Sequence, residues 1–352
     1  MISLFFSIII PAYNAEKYIF ECIDSLKSQT MQDFEIVIVD DGSKDNTLNV
    51  CYEYANKYPS MKIKIVHQSN QRQIAARMNG VNHSCGEYCL FVDADDKLVE
   101  TALEEIKSSI DRYRADIIIF NGLRFLDDYH TPFWPHYKKK ETFLSGKDYE
   151  EFRYEALTTQ RFNNVWNKAI RRKIILESIC FTNVSYISIE EDYLMQLPWY
   201  DVAQNAVYLP KDLYLYRLNS NSITFQKFDP YKYDSAKYIF NKAMNYVVKW
   251  NVPNGDVLIR RRFISRVSNA VKQLYTKQSG LNTKEKKSFL LQIANDETFR
   301  AEYRKFDGVI SSKIGKTILW LLYHKFWRLS LFLAEHDPKI HGKDKSTFSY
   351  NH

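Results

Sequence analysis

The chain has 352 residues, of which 45% are hydrophobic and 26% charged, with only 10 glycines and 9 prolines. This composition excludes a disordered, collagen-like or linker-rich chain, and the length suits one large α/β domain with a smaller annex, or two ordinary domains. The net charge of +7 is uneven, because residues 1–224 carry −6 and residues 225–352 carry +13. The acidic part is suited to a metal ion, and the basic part to nucleic acid or anionic lipid.

The amino terminus and the cysteines bear on the cellular compartment. Residues 1–10 are apolar but lack a basic leader, which predicts a first strand rather than a signal peptide. The cysteines are odd in number, and no second close pair completes a zinc site, so we expect reduced, mostly buried thiols in a cytosolic protein. They are Cys22, Cys51, Cys85, Cys89 and Cys180.

Two periodicities alternate along the first 120 residues. Apolar and β-branched runs predict strands at 7–10, 35–39, 61–66, 88–92 and 116–120. Helical spacing of apolar residues predicts helices at 18–26, 47–58 and 73–81. These repeated units predict an α/β fold with a mostly parallel sheet covered by helices on both faces, and a site beyond the carboxyl ends of the strands.

The later part of the chain differs in pattern. Residues 129–224 are less regular and richer in aromatics, and the chain beyond residue 229 is helical. The charge changes sign near 226–230, so we predict a first domain at 1–225 and a basic helical C-terminal region at 226–352. An apolar stripe of that region consists of Phe263, Val267, Ala270, Val271 and Leu274.

Acidic residues follow two of the predicted strands. Asp40 and Asp41 follow the second strand, and Asp93 and Asp95 follow the fourth. Clustered carboxylates are costly without a compensating cation, and a pair at a strand end can share a divalent metal ion with a diphosphate. The alternative is a loop of solvated aspartates that caps the next helix. A D-x-D pair considered by itself favours this alternative.

These aspartates belong to a longer series of motifs. In chain order the series is SIIIPAYN at 7–14, Ser28-Gln29-Thr30, EIVIVDDGS at 35–43 with Asp45 and Thr47, Ala76-Arg77, Gly86-Glu87-Tyr88 and DADD at 93–96. In order and spacing it resembles the inverting glycosyltransferases of family 2, whose catalytic domain has the Rossmann-like GT-A fold. Weaker matches at Trp166-Asn167-Lys168, Glu191-Asp192 and 214–217 with Ser222-Ile223 extend the resemblance over roughly the first 224 residues.

The resemblance implies a pocket for a nucleotide-sugar, with UDP favoured as the nucleotide. Pro11, Ala12 and Tyr13 would border the nucleobase. Asp41 resembles the carboxylate that accepts a hydrogen bond from the uracil N–H, with Asp40 as its neighbour in the pocket. We expect residues 1–100 to bind the donor and residues 101–225 to form the acceptor side.

The resemblance also implies a site for the diphosphate. Arg77 resembles the cation that meets it, although by itself the same residue would be read as a solvated helix residue. Asp93, Ala94 and Asp95 match the D-x-D motif, in which Asp95 together with Asp93 would bind Mn²⁺ or Mg²⁺.

The chain departs from the family pattern on both sides of the Ala-Arg pair. Arg72 and Met78 occupy positions where the family usually has Gly and Asn. Arg72 adds a second cation near the expected diphosphate. Because a conformation open only to glycine is lost there, we expect the loop from Asn70 to follow a different path.

An inverting displacement requires a base for the acceptor hydroxyl. Asp192 resembles the family's base, and its position before a predicted helix at 193–199 favours the ionised form. The alternative is an ordinary carboxylate in a first helical turn. Further candidates for the acceptor or donor site, each with a core role as the alternative, are Glu191, Trp166 and Lys168, and Phe133 and Trp134 are candidates for stacking on sugar rings.

The basic end of the chain contains Trp320 and Trp327 among the basic residues Lys313, Lys316, Lys325 and Arg328. This pattern predicts a peripheral helix at the anionic inner face of the cell membrane, and it is equally consistent with a helix that docks on the catalytic domain or in a homodimer. The apolar run at 317–334 is interrupted by charges and is a poor membrane span. No motif indicates a nucleic-acid partner.

We therefore predict a cytoplasmic, metal-dependent inverting glycosyltransferase that uses a UDP-sugar or another nucleotide-sugar. The acceptor would be a hydroxyl of a glycan or lipid-linked glycan in cell-surface polysaccharide synthesis. A catalytically silent sugar-nucleotide-binding protein is the alternative, against which the combination of Asp95 and Asp192 argues. A dinucleotide enzyme is disfavoured because no G-x-G-x-x-G follows the first strand.

Overall fold

The computed structural model describes residues 4–127, 129–178, 187–218, 228–274, 279–309 and 313–335. The chain divides into two compact units, the first formed by 1–185 with 190–220 and the second by 186–189 with 221–352. The predicted boundary between residues 225 and 226 lies outside the described residues, as do Cys180 and Ser222-Ile223.

The first unit is built from strands joined by helices. Its strands are β1 (Phe6–Ala12), β2 (Phe34–Asp40), β3 (Ile63–His67), β4 (Tyr88–Phe91), β5 (Lys97–Leu98), β6 (Ile117–Leu126), β7 (Tyr129–Pro132), β8 (Thr142–Ser145), β9 (Lys168–Arg171) and β10 (Asn205–Arg217). Its helices are α1 (Ile19–Lys27), α2 (Thr47–Lys57), α3 (Arg72–His83), α4 (Ala102–Tyr113), α5 (Gly146–Thr158), α6 (Arg172–Glu177) and α7 (Glu191–Val202).

These strands form one sheet in the order β3-β2-β1-β4-β9-β6-β10-β5, with β7 added to β6 and β8 added to β10. Strands β3, β2, β1 and β4 run parallel, and β6 is parallel to β10. Strand β9 lies between the two parallel groups and is antiparallel to both β4 and β6. The predicted α/β fold with a mostly parallel sheet is therefore confirmed, with an antiparallel insertion that the sequence did not reveal.

Both faces of the sheet are covered because side chains alternate along the buried strands. Ile8 and Ile36 point into the main core, which includes residues of α1, α2 and α4. Val37 and Val39 point to the opposite face and pack with Ala76 of α3. Helix α3 approaches so closely that a Cβ on Gly80 would lie 2.4 Å from Ile9 Cγ2. Each fully buried Ile or Val contributes about 1.5–3 kcal/mol relative to an exposed one.

The second unit is helical in its described residues, as predicted. Its helices are α8 (Lys232–Lys249), α9 (Gly255–Gln273), α10 (Thr283–Asn295), α11 (Glu297–Arg304), α12 (Lys313–Tyr323) and α13 (Trp327–Glu335). The predicted apolar stripe from Phe263 to Leu274 is buried. Phe263 of α9 packs against Phe240 of α8, with ring centroids 4.7 Å apart.

Two further sequence predictions concern membrane spans and thiols. Within the described ranges, every helix is too short or too polar to cross a bilayer. Cys22, Cys51 and Cys89 are buried free thiols, whereas Cys85 is a free thiol on the surface.

Candidate active site

The candidate site lies where β1, β2 and β4 end. These strands are neighbours and parallel, so their carboxyl ends meet at one edge of the sheet. The segments after β1 and β2 are joined by hydrogen bonds between motif residues. The Asn14 N–H donates to Ser43 Oγ at 3.0 Å, and the Ala15 N–H donates to Thr47 Oγ1 at 2.7 Å. These motif residues therefore fix the shape of this edge.

Asp41 is buried, and its carboxylate is oriented by the segment after β3. Oδ1 accepts hydrogen bonds from Gln68 Nε2 at 2.7 Å and from the Gln71 N–H at 2.8 Å. Oδ2 has no hydrogen-bond partner among the residues that the structure describes. An oriented carboxylate with one free oxygen is suited to accept a hydrogen bond from a nucleobase N–H.

Asp40 lies deeper than Asp41 and has no exposed surface. Its Oδ2 is 2.7 Å from Nδ1 of His67, and its Oδ1 is buried without a partner in the described part of the chain. The position of Asp40 beneath the pocket is consistent with a role in supporting it, and direct contact between Asp40 and a donor stays a prediction.

The backbone at Arg72, the first residue of α3, differs from the expectation for this part of the chain. Arg72 has a φ of 70°, so it adopts the left-handed backbone conformation that glycine adopts more readily. The expectation that losing glycine closes this conformation is therefore wrong, and the conformation costs about 1–3 kcal/mol for a residue with a side chain. Gly42 has a φ of 72°, and a Cβ there would lie 2.8 Å from the Asn70 nitrogen. The loop thus lies directly against Gly42.

Arg77 of α3 forms ion pairs with both Asp93 and Asp192. It is 1% exposed, and its guanidinium donates from Nη2 to Asp93 Oδ1 at 3.0 Å and from Nη1 to Asp192 Oδ1 at 2.5 Å. Burial opposes its charge, but attraction to Asp192 and Asp93 outweighs burial and raises the pKa of Arg77. Arg77 is therefore an internal ion-pair partner, and its predicted contact with a diphosphate remains untested.

The first aspartate of the D-x-D motif has one occupied oxygen. Oδ1 of Asp93 also accepts a hydrogen bond from Gln73 Nε2 at 3.1 Å. Burial raises the pKa of Asp93, Arg77 opposes this effect and Asp192 adds to it. The sequence analysis missed Gln73, although its spacing of four residues from Arg77 places both on one face of α3.

The second aspartate of the motif is partly buried with only weak compensation of its charge, to which Arg217 contributes. Burial and the neighbouring Asp93 raise the pKa of Asp95 to about 6. Among the described residues, no hydrogen bond or ion pair links the Asp95 carboxylate to another residue. By contrast, Asp96 Oδ2 accepts a hydrogen bond from the Tyr214 hydroxyl at 2.7 Å, and its Oδ1 accepts one from the Arg217 N–H at 2.7 Å. Asp96 therefore anchors the loop.

The carboxylate oxygens of Asp93 and Asp95 are suitable ligands for a hard divalent cation. The described residues contain no group of three or more His, Cys, Asp or Glu side chains arranged to hold a metal by themselves. The free carboxylate of Asp95 and the second oxygen of Asp93 are nevertheless suitable oxygen ligands. Mg²⁺ is commonly held by one or two carboxylates together with substrate phosphates.

Asp192 lies in the first turn of α7, and the structure places it beside the D-x-D motif. Its Oδ1 is paired with Arg77, and its Oδ2 accepts a hydrogen bond from the Val165 N–H at 3.2 Å. The side chain is about a quarter exposed at 25%, so it remains accessible from solvent. The adjacent Glu191 has a raised pKa, because of burial first and repulsion by Asp192 second.

The remaining candidates for the acceptor or donor site are largely buried. Lys168 is completely buried, and its ammonium contacts three oxygens of the protein, so its predicted role in that site stays a prediction. Trp166 is 4% exposed and stacks on Tyr214 with centroids 4.4 Å apart. Phe133 packs edge-on against Trp166 at 5.0 Å. Trp166, Phe133 and Trp134 line a small pocket, so their predicted contact with a sugar stays open.

Comparison with known proteins identifies a matching family model and similar proteins. Residues 7–179 match the model described as Glycosyl transferase family 2. The chain is 30% identical over 224 residues to the uncharacterized glycosyltransferase EpsJ of Bacillus subtilis, an alignment that covers 64% of each protein. The chain thus spans just under two thirds of that relative's length.

Solved structures show the same fold. The TarS 1–349 structure from Staphylococcus aureus, in complex with UDP-GlcNAc, superposes with a TM-score of 0.67 at 21% identity, covering 97% of this chain and 93% of that one. The mannosyltransferase PcManGT of Pyrobaculum calidifontis, in complex with GDP-Man and Mn²⁺, superposes with a TM-score of 0.52 at 14% identity, covering 96% and 88%.

The sheet topology and the likeness to these structures define a fold of the GT-A type. Residues 7–179 therefore form a glycosyl transferase family 2 domain.

Proposed function

We propose that this protein is a metal-dependent inverting glycosyltransferase that transfers a sugar from a UDP-sugar to a glycan or lipid-linked glycan during cell-surface polysaccharide synthesis. The observation that carries the proposal is the Arg77 bridge, which holds the predicted base Asp192 beside the predicted metal ligand Asp93. A base and a leaving-group site must lie close together for a single displacement at the anomeric carbon.

The donor assignment rests on the nucleobase side of the site. The free oxygen of Asp41 is suited to the uracil N–H, and Tyr13, which is 41% exposed, provides a ring beside β1. A TarS structure with UDP-GlcNAc has the same fold, which supports a uridine nucleotide as the donor.

The divalent ion would be held by Asp95 and Asp93. When bound, it would supply positive charge that stabilises the leaving diphosphate. Asp95 is suited to this role because burial and Asp93 make its own negative charge costly. The Mn²⁺ in the PcManGT complex supports a metal of this kind.

Asp192 would act as the general base. Arg77 and the Val165 N–H each occupy one lone pair of its carboxylate, which leaves further lone pairs for an acceptor hydroxyl. The hydroxyl proton would pass to Asp192 as the hydroxyl oxygen attacks the anomeric carbon and the nucleoside diphosphate leaves from the opposite face.

The place of action belongs to the same proposal. We expect a cytoplasmic protein that associates peripherally with the inner face of the membrane through α12 and α13. Trp320, Leu329 and Phe332 are exposed on these helices, and Phe326 is exposed between them. Lys316 and Arg328 are exposed on the same two helices and Lys325 is exposed between them, whereas the side chain of Lys313 lies outside the described residues. Apolar rings among basic residues suit an anionic bilayer.

The test is a sugar-nucleotide screen followed by two variants. Asp192→Asn is expected to lower kcat by about 10²–10⁴-fold while UDP binding persists. Asp95→Asn, or chelation by EDTA, is expected to abolish turnover, and the exposed Asp33→Asn serves as the matched control. Near-normal turnover of Asp192→Asn would contradict its role as base, and full activity in EDTA would contradict the metal.

The same screen separates an enzyme from a silent binding protein. If the wild-type chain binds UDP but neither hydrolyses nor transfers any sugar in the presence of Mn²⁺ or Mg²⁺, the silent alternative is correct.

A further inference from the structure

Lys168 is a buried charged residue for which the proposed reaction has no direct use. It begins β9 and has no exposed surface. Its Nζ donates to Phe162 O at 3.0 Å, to Asn164 O at 2.6 Å and to Asn167 Oδ1 at 2.7 Å. Three oxygen acceptors match the three N–H bonds of an ammonium group. All three belong to residues 162–167, which we call the base loop.

The base loop contacts Asp192 directly. The Val165 N–H donates to Asp192 Oδ2 at 3.2 Å, whereas Arg77 pairs with Oδ1. The orientation of the Asp192 carboxylate therefore depends on two supports, one from α3 and one from the base loop. Displacing the base loop would remove one of them.

A second side chain ties the base loop to α7. Gln196 lies one helical turn after Asp192, and its Nε2 donates to Asn163 O at 2.5 Å and to Asp192 O at 2.8 Å. Tyr200 donates its hydroxyl to Gln196 Oε1 at 2.7 Å and to Phe162 O at 3.3 Å. The base loop is thus held by Lys168 on one side and by α7 on the other.

The burial of Lys168 is energetically costly, so its retention needs a compensating gain. Burial lowers the pKa of Lys168 well below its ordinary value, and the charge of Asp192 opposes that shift. The base loop lies between α5 and β9. The Asn167 carbonyl accepts from the Phe120 N–H of β6 at 3.0 Å, and the Phe162 and Asn164 carbonyls accept from Lys168. An apolar residue in place of Lys168 would leave Asn164 O and Asn167 Oδ1 without the donor that the structure gives them, whereas Phe162 O would keep Tyr200.

We propose that Lys168 is a positioning residue for Asp192, and that it sets the orientation of the Asp192 carboxylate by holding the base loop. This inference rests on the proposed function, in which Asp192 is the base. It accounts for the Trp166-Asn167-Lys168 motif without any contact between Lys168 and a ligand.

The test is a double-mutant cycle in the full chain between Lys168→Met and Asp192→Asn. We expect Lys168→Met to lower kcat by about 10–100-fold, since a small misplacement of a reacting group has an effect of this size. The Kd for UDP, measured by calorimetry, should stay within about twofold because donor contacts are unchanged. In the Asp192→Asn background, Lys168→Met should cause no further loss of kcat.

The matched control is Lys64→Met. Lys64 is also a strand lysine that donates to a backbone carbonyl, His83 O, at 2.7 Å, but it lies on β3. Its kcat is expected to equal that of the wild type. A Lys168→Met kcat equal to that of this control would overturn the inference, and so would losses that multiply in the double variant.

Gln196→Met provides a second route if Lys168→Met does not fold. It removes the hydrogen bond from α7 to Asn163 O of the base loop and should reproduce the same pattern of reduced kcat, unchanged UDP binding and no further loss beside Asp192→Asn. Normal turnover of Gln196→Met would then overturn the inference. Near-normal turnover of Asp192→Asn is a distinct result, because it contradicts the proposed base itself.

Discussion

Arg77→Met is the substitution from which we expect the largest loss of stability in the site. Methionine retains much of the buried volume of Arg77 but removes the cation shared by Asp93 and Asp192. Breaking a buried ion pair by removing one partner costs about 3–5 kcal/mol. The two carboxylates are 22% and 25% exposed, so water can partly solvate them. We therefore expect a loss of about 3 kcal/mol, at the lower end of that range.

The free energy of unfolding can be measured by urea denaturation at pH 7. Arg171→Met is the matched control, because Arg171 also pairs with two carboxylates, Glu87 and Asp116, but is more exposed, at 28%. Exposed ion pairs contribute about 0–1 kcal/mol, so this control should lose less than about 1 kcal/mol.

A second measurement tests the electrostatic cause of the loss. In the wild type, Asp192→Asn should destabilise the chain by about 1–3 kcal/mol because Arg77 loses a charged partner. In the Arg77→Met background the same change removes a repelling charge, so it should be neutral or stabilising. Equal effects of Asp192→Asn in both backgrounds, or an Arg77→Met loss no larger than that of Arg171→Met, would refute this account.

Three further predictions concern other parts of the chain. Burial opposes the charge of Glu35, but hydrogen bonds from Ser7 and Cys85 outweigh burial and lower the pKa of Glu35. The ionised carboxylate therefore stabilises the fold above the ordinary glutamate pKa, and this stabilisation is lost as the pH falls through the lowered pKa. Glu35→Gln should therefore lower the thermal midpoint at pH 7 and flatten its decline below about pH 5. Tyr214→Phe removes two hydrogen bonds to the D-x-D loop and should cost about 1–3 kcal/mol in urea denaturation. The chain should sediment with anionic but not with neutral vesicles. Changing Lys316, Lys325 and Arg328 to Gln should weaken binding to anionic vesicles by about 1 kcal/mol for each charge. If the triple variant binds anionic vesicles as well as the wild type does, the peripheral helix is excluded.

The parallel part of the fold is predictable because its signals are local. Strands β1, β2 and β4 are short, mostly apolar runs, and helices α1, α2 and α3 have their own apolar spacing. Strand β9 escapes prediction because its four residues, Lys168–Arg171, include charges at both ends. Its identity as a strand depends on pairing with β4 and β6, which are remote in sequence.

The candidate site is predictable in its residue types but less so in its contacts. The position of Asp192 at the start of a helix follows from the helical pattern, and α7 begins at Glu191. The burial of Arg77 does not follow from its neighbours in sequence, because one partner is 16 residues away and the other 115. The left-handed backbone of Arg72 likewise reflects tertiary packing that overrides a local preference.

The antiparallel insertion of β9 has a consequence for synthesis of the chain. Strand β4, with the sequence YCLF, pairs with β1 on one side, but its other side has no partner until the ribosome has made residues 168–171. At about 5–20 residues per second, the intervening 76 residues between Phe91 and Lys168 take on the order of ten seconds. During that interval a nascent chain exposes an apolar strand edge that can pair with another molecule. Fragments of this protein that end before Arg171 would retain that open edge permanently, so shortened chains intended to remain soluble should extend beyond β9.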